Sequence, residues 1–182
     1  ARPGNWKEVS GLLRAGACDL GELIAGARSL FEHRLGNETV GLRVELDPEA
    51  RRVAAHPLAL EQVLTNLLKN ALDSIREARH RGQGAAEHWV AISSAAHPTL
   101  SDHLLIAIDD SGNGFPRHLL ELGPEKWLTS KPAGEGSGLG LALSDRLVRE
   151  MGGELTLGAT DEGGARVLLS LPRGGEGDVG PP

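Results

Sequence analysis

The sequence predicts a mixed α/β domain, because two hydrophobic periodicities alternate along its 182 residues. Helical spacing marks residues 19–34, 56–79 and 141–151, and period-two alternation marks 40–46, 89–95, 103–108, 154–159 and 165–171. A third observation is the run Gly134-Glu135-Gly136-Ser137-Gly138-Leu139-Gly140-Leu141, whose four glycines stand at alternate positions at the head of the last helix. Hydrophobic residues make up 40% of the chain but aromatics only 3%, so aliphatic side chains must fill a single core.

Residues 1–18 are weakly patterned, with glycines and Pro3 interrupting Trp6, Val9, Leu12 and Leu13, and read as a lead-in to a domain spanning 19–172. Asp19 has the place of an N-cap, with Glu22 three residues on as its capping-box partner. Leu20, Leu23, Ile24, Ala27, Leu30 and Phe31 follow at helical spacing until Gly36-Asn37. Val40, Leu42, Val44 and Leu46 alternate as a half-buried strand closed by Asp47-Pro48, and Arg52 to Ala55 is a second, short strand. His56-Pro57 opens the longest helix, with Leu60, Val63, Leu64, Leu67, Leu68, Ala71, Leu72 and Ile75 as its apolar stripe. Gln62, Asn66, Asn70 and Asp73 fall on another face of that helix. The stretches from Trp89 and His103 form a hairpin whose second strand runs into Asp109-Asp110-Ser111-Gly112-Asn113-Gly114-Phe115-Pro116. Residues 115–136 carry Pro124, Pro132 and little periodicity, and read as a mobile lid. Gly152-Gly153 stops the last helix, a terminal hairpin follows, and 173–182 is a Gly/Pro-rich tail expected to be disordered.

Several function classes are excluded. A formal net charge of −6 argues against a nucleic-acid partner. The single Cys18 allows no internal disulfide and fits a reducing compartment. No apolar run approaches a membrane span and no signal-peptide pattern is present, so a cytoplasmic location without membrane contact is expected, whatever anchors the full-length protein. The chain starts at Ala1 rather than Met and reads as a fragment. His33, His80, His88, His97, His103 and His118 lack the paired spacing of a metal site.

Three segments carry matching chemistry. Glycines before a helix N-terminus let free N–H groups approach phosphate. The run is not a Walker A loop, since no Gly-Lys-Ser/Thr follows, nor a dinucleotide fingerprint, since the third glycine counted from Gly136 would fall at Leu141. Asn66 and Asn70, one turn apart in a helix that asparagine disfavours, offer neutral amide oxygens that can ligate Mg²⁺ beside phosphate. An acid at the end of a strand before a Gly-x-Gly turn can accept a hydrogen bond from a ligand's amino group. Together these describe a purine nucleotide with Mg²⁺.

The run Leu60 to Ala71 resembles the asparagine box of sensor histidine kinases, and Asp110 to Pro116 resembles their first glycine box. Leu128-Thr129-Ser130-Lys131-Pro132 resembles the lid segment, and Gly136 to Leu143 the second glycine box. Order and spacing agree over roughly residues 6–172, and the lid ending is most similar to the dicarboxylate-sensing and nitrogen-regulation branch. The resemblance implies the Bergerat ATP-binding fold of the GHKL superfamily, a two-layer α/β sandwich in which a mixed, mostly antiparallel sheet packs against about three helices. It implies ATP and Mg²⁺ as cofactors, with Asp110 on the adenine amino group, Asn70 on Mg²⁺ and Asn66 nearby. Gly112 and Gly114 would turn under the base, with aliphatic side chains such as Ile75 sandwiching it. Thr129, Lys131, Gly136, Ser137, Gly138, Leu139, Gly140 and Leu141 would line the phosphates, with Asn66, Asn70 and Lys131 serving the transfer itself.

The implied activity is transfer of the γ-phosphate to a histidine on a separate phosphoacceptor domain, with a response regulator downstream. That acceptor histidine is usually followed by Glu or Asp, and none of the seven histidines here is. Departures are Asp73 and Ser74 where many of these kinases have a basic residue and an aromatic, and His56 in place of an aspartate. The alternatives are a gyrase- or chaperone-type ATPase and a nucleotide-sensing module without turnover. The first is disfavoured because its water-activating Glu is replaced by Asn66.

Overall fold

A computed structural model describes residues 16–82, 87–121 and 139–175. Its elements in chain order are β1 (Ala17–Asp19), α1 (Leu20–Asn37), β2 (Val40–Leu46), a 3₁₀ turn (Pro48–Ala50), β3 (Arg52–Ala54), α2 (Pro57–His80), β4 (His88–Ala96), β5 (His103–Asp110), α3 (Arg117–Glu121), α4 (Leu139–Glu150), β6 (Glu154–Ala159) and β7 (Ala165–Pro172).

Five strands form one sheet in the order β2-β4-β5-β7-β6. β2 runs parallel to β4, and the other three pairings are antiparallel. The parallel pair is possible because α2 supplies the long crossover that two parallel neighbours require. Alternation then sorts the side chains. Val90 and Ile92, Leu104, Ile106 and Ile108, and Val167, Leu169 and Leu171 point to one face, buried against the helices. The opposite face carries partly exposed Ala91, Ala107 and Leu168, with the Arg43 guanidinium 5.5 Å from the centre of the Trp89 ring. The result is a two-layer sandwich of mixed, mostly antiparallel sheet against helices.

Sequence fixes the helix ends locally. Asp19 caps α1, its carboxylate accepting from the Glu22 N–H at 3.1 Å. Pro57 stands at the start of α2, where a missing donor does no harm. α4 ends in a Schellman motif: Gly153 N–H donates to the Val148 carbonyl and Gly152 N–H to that of Arg149, both at 2.9 Å. Gly152 supplies the φ of 83° that this motif needs. On α2 the stripe from Leu60 to Ile75 is fully enclosed, and Leu20, Ile24, Ala27 and Phe31 of α1 and Val148 of α4, with Met151 just beyond it, pack beside it.

The structure differs from the sequence reading in four places. The lead-in contains β1, which pairs with β3 in a separate two-stranded sheet, a pairing three residues long and invisible to periodicity. α1 continues through Gly36-Asn37, and the chain turns at Thr39 with φ 50°. The segment expected to be a lid opens with helix α3, whose Leu119 is buried; residues 122–136 lie outside the described residues. At the start of the tail, Arg173 bridges to Val53, and the Gly174 N–H donates to the Arg52 carbonyl at 3.0 Å. Residues 176–182 lie outside the described residues.

Candidate functional site

β5 ends in two adjacent aspartates, and strand alternation gives them opposite fates. Asp109 points to the outer face, where Arg166 Nε and Nη2 pair with its two oxygens at 2.8 and 2.6 Å. Asp110 points inward and is 5% exposed. Its Oδ1 accepts from the Gly112 N–H at 2.8 Å and the Ala165 N–H at 3.4 Å. Burial pushes the Asp110 carboxyl up to about 6; the N–H groups of Gly112 and Ala165 and the Ser74 hydroxyl oppose that rise, while the neighbouring Asp109 charge adds to it. A desolvated acid short of a cation at the mouth of a turn is a common form of ligand-reading group.

The turn after Asp110 is built to let other chain approach. Gly114 has φ 70°, and a Cβ there would come within 2.6 Å of the Gly163 carbonyl oxygen. A Cβ on Gly164 would overlap the Asp110 carbonyl. The β6–β7 turn is thus pressed against the back of the Asp110 turn, with its own shape fixed by the Thr160 hydroxyl accepting from Gly164 N–H at 2.9 Å.

The asparagine pair lies on α2. Asn66 and Asn70 are both half-buried, and a Cβ placed on Gly140 would be 4.0 Å from Asn66 Cγ and from Asn70 Oδ1. The head of α4 therefore sits over both amides. Gln62 donates to Asn66 Oδ1 at 2.9 Å, Asn66 Nδ2 reaches Ser144 Oγ at 3.5 Å, and the Ser144 hydroxyl donates to the Gly140 carbonyl at 2.8 Å. Among the described residues no side chain partners the Asn70 amide. Asp73, next on the same stripe, receives Lys69 at 3.0 Å and Arg34 at 2.9 Å; despite the opposing effect of burial, these two cations hold it below the usual carboxylate range.

The structure thus brings together Asp110, Gly112 and Gly114 at one end and Asn66, Asn70, Gly140 and the α4 head bearing Leu139 at the other. Leu141 turns its side chain into the core, leaving its main chain as the part that can face a ligand. Thr129, Lys131, Gly136, Ser137 and Gly138 lie outside the described residues. Ile75 is fully enclosed in the core, on the face of α2 away from Asn66 and Asn70, and offers no surface to a base. Sequence reasoning missed Gly164, Ala165 and Thr160, although adjacent glycines at the start of a strand were a visible sign of close backbone approach.

The donors fit Mg²⁺ in kind: hard amide oxygens, with coordination to be completed by phosphate and water. Among the described residues no cluster of three or more His, Cys, Asp or Glu forms a competing cage, and no helix is long and apolar enough to cross a membrane.

Residues 55–175 match the family model described as histidine kinase-, DNA gyrase B-, and HSP90-like ATPase. The C4-dicarboxylate transport sensor protein DctB of Pseudomonas aeruginosa is 38% identical over 119 residues, covering 65% of this chain. The alginate biosynthesis sensor protein KinB of the same species is 31% identical over 160 residues, covering 88% of this chain. The chain spans 18% and 25% of those two proteins. The catalytic domain of histidine kinase ThkA superposes with TM-score 0.68 at 23% identity, covering 86% of this chain and 94% of that one, a likeness of fold. Motif, fold and family model agree that the chain belongs to the histidine kinase-, DNA gyrase B- and HSP90-like ATPases, and that within them it matches the nucleotide-binding domain of sensor histidine kinases.

Proposed function

We propose that this chain binds Mg-ATP and presents its γ-phosphate to a histidine on a separate phosphoacceptor domain, from which a response regulator is served. The observation that carries the reading is that α2 meets the Asp110 turn at Ser74 and the head of α4 at Asn66 and Asn70, so acid, amides and helix head are set along one helix. A carboxylate accepts and does not donate, so Asp110 selects the amino group of adenine over a carbonyl at the same position. Asn70, free of other partners among the described residues, would hold the metal, and Asn66, held by Gln62 and Ser144, would stand behind it. When bound, Mg²⁺ offsets triphosphate charge and orients the γ-phosphoryl group. The N–H groups at the α4 head and Lys131 would receive phosphate oxygens. Catalysis would then be positioning and electrostatics.

The ATPase alternative needs a base one turn before Asn70. That place is held by Asn66, whose amide cannot take a proton and is already engaged by two neighbours.

Asn70→Ala is expected to weaken ATP binding in Mg²⁺ by roughly tenfold or more and to leave metal-free binding close to unchanged. Equal losses with and without Mg²⁺, measured by calorimetry, would remove the metal from Asn70. The test of the whole reading is incubation with γ-labelled ATP and Mg²⁺. The chain alone should bind but take up no label, and a phosphoacceptor domain from a relative that docks should become labelled. Acid-labile label on the isolated chain would show that the acceptor has been misplaced, and absence of any ATP binding would end the kinase proposal.

A further inference from the structure

Ser74 stands where α2 meets the Asp110 turn. It is half-buried and one helical turn beyond Asn70. Its hydroxyl oxygen accepts the Asn113 N–H at 3.2 Å. A Cβ added to Gly112 would overlap Ser74 Oγ and come within 2.9 Å of Asp110 Oδ1, so hydroxyl and carboxylate flank the same α-carbon. The hydroxyl hydrogen, not needed for Asn113, is available to the carboxylate, and Ser74 is among the groups that hold Asp110 in its ionised form. Among the described residues no other element supplies compensating charge. Asp109 is the neighbouring charge on β5 itself, Arg166 of β7 is taken by Asp109, and the β6–β7 turn contributes the neutral Gly164 and Ala165.

We propose that Ser74 is a positioning residue for the Asp110 carboxylate, its hydroxyl aiming the acid at the amino group of an adenine and tying the base-reading turn to the helix that carries Asn66 and Asn70. The proposal rests on the nucleotide reading above and deepens it. An aromatic or an alanine at position 74 carries no such hydroxyl. In Asp110 the main-chain donors remain when Ser74 is changed, so the effect is a shift in titration and aim and leaves the fold in place.

The test is a titration of the Asp110 carboxyl carbon by NMR in the full chain, with wild type, Ser74→Ala and Ser74→Thr compared. Ser74→Ala is expected to raise the midpoint by roughly half to one pH unit, and Ser74→Thr, which keeps a hydroxyl, to return it toward wild type. A midpoint in Ser74→Ala equal to that of wild type overturns the proposal. Calorimetry supplies the second arm. ATP affinity should rise through the same midpoint in each variant, and at pH 7 Ser74→Ala should bind ATP about three- to tenfold more weakly than wild type. Wild type that binds no ATP at any pH would overturn the nucleotide reading and the aiming role with it, while the NMR midpoints would still report on the contact.

Discussion

Asp110→Asn is expected to abolish adenine nucleotide binding and, at pH 8, to make the ligand-free chain more stable. The binding loss follows from hydrogen-bond sense. The amide turns a donor toward the base's amino group, leaving one polar group unpaired, at a cost of about 2–4 kcal/mol. The stability gain follows from burial. Asp110 is 5% exposed and its carboxyl is pushed from 3.8 to about 6, so the folded chain holds this proton more tightly than the unfolded one. Its contribution to stability is therefore fully present below the unfolded value and is lost as pH rises through the folded one. Above that range, keeping the ionised acid buried costs on the order of 3 kcal/mol. Asparagine is neutral throughout and keeps a carbonyl to receive the Gly112 and Ala165 N–H groups, so the variant should recover about 1–2 kcal/mol at pH 8. The gain should fade as pH falls from 6 toward 4. Calorimetry with ATP and thermal melts at both ends of that range are the measurements. Near-unchanged ATP affinity would remove Asp110 from the site, and an equal gain at pH 4 and pH 8 would refute the burial account.

Gly164→Ala should unfold the chain more readily than a methyl added at any other glycine in a turn of the described residues. The new carbon would overlap the Asp110 carbonyl oxygen and sit 2.9 Å from its carbon and 3.1 Å from Thr160 Oγ1. The obstacle is main chain in β5, which is laddered to β4 on one side and β7 on the other and cannot step back. Gly164 cannot move either, since its N–H and carbonyl are both engaged by Thr160 at 2.9 Å. Overpacking against an immovable partner predicts about 3 kcal/mol or more, and a fall in melting temperature of roughly 6–12 °C for a chain of this size. Gly36→Ala is the control: nothing lies within 4 Å of the added carbon and the residue is helical, so stability should hold or rise slightly. Coincident denaturation midpoints for the two variants would show that the contact is not fixed.

The fold was legible wherever side chains alternate long enough to declare a period. α2 and the four long antiparallel partners were found within a residue or two, because burial of one face requires the pattern. β3 was read within a residue over Arg52 to Ala55, but β1 escapes the same logic at three residues, and its pairing joins Cys18 to Val53, 35 positions away. The candidate site was legible where chemistry is local. Asp110 precedes its own glycines, and the asparagines are one turn apart. What stayed hidden was set by contacts distant in sequence. Asp109 and Asp110 are adjacent acids, and the sheet alone decides which faces Arg166 and which is buried. Ser74 looked like a departure until its hydroxyl met the Asn113 N–H, 39 residues on. Ile75 looked like a platform for the base because the helix stripe does not say what covers it.

The small β1–β3 ladder has a geometric consequence for motion. Ala17 and Gly174 touch, Arg173 bridges to Val53, and the Arg173 N–H reaches the Asp102 carbonyl at 2.8 Å. The first and last of the described residues thus meet at one pole, beside the beginning of β5, whereas Asp110 marks the other end of that eight-residue strand. The strand is a lever arm of about 25 Å, so a rotation of about 10° at the pole sweeps the site through about 4 Å. A rotation of this domain about Gly16 and Gly175 would therefore move the Asp110 end farthest.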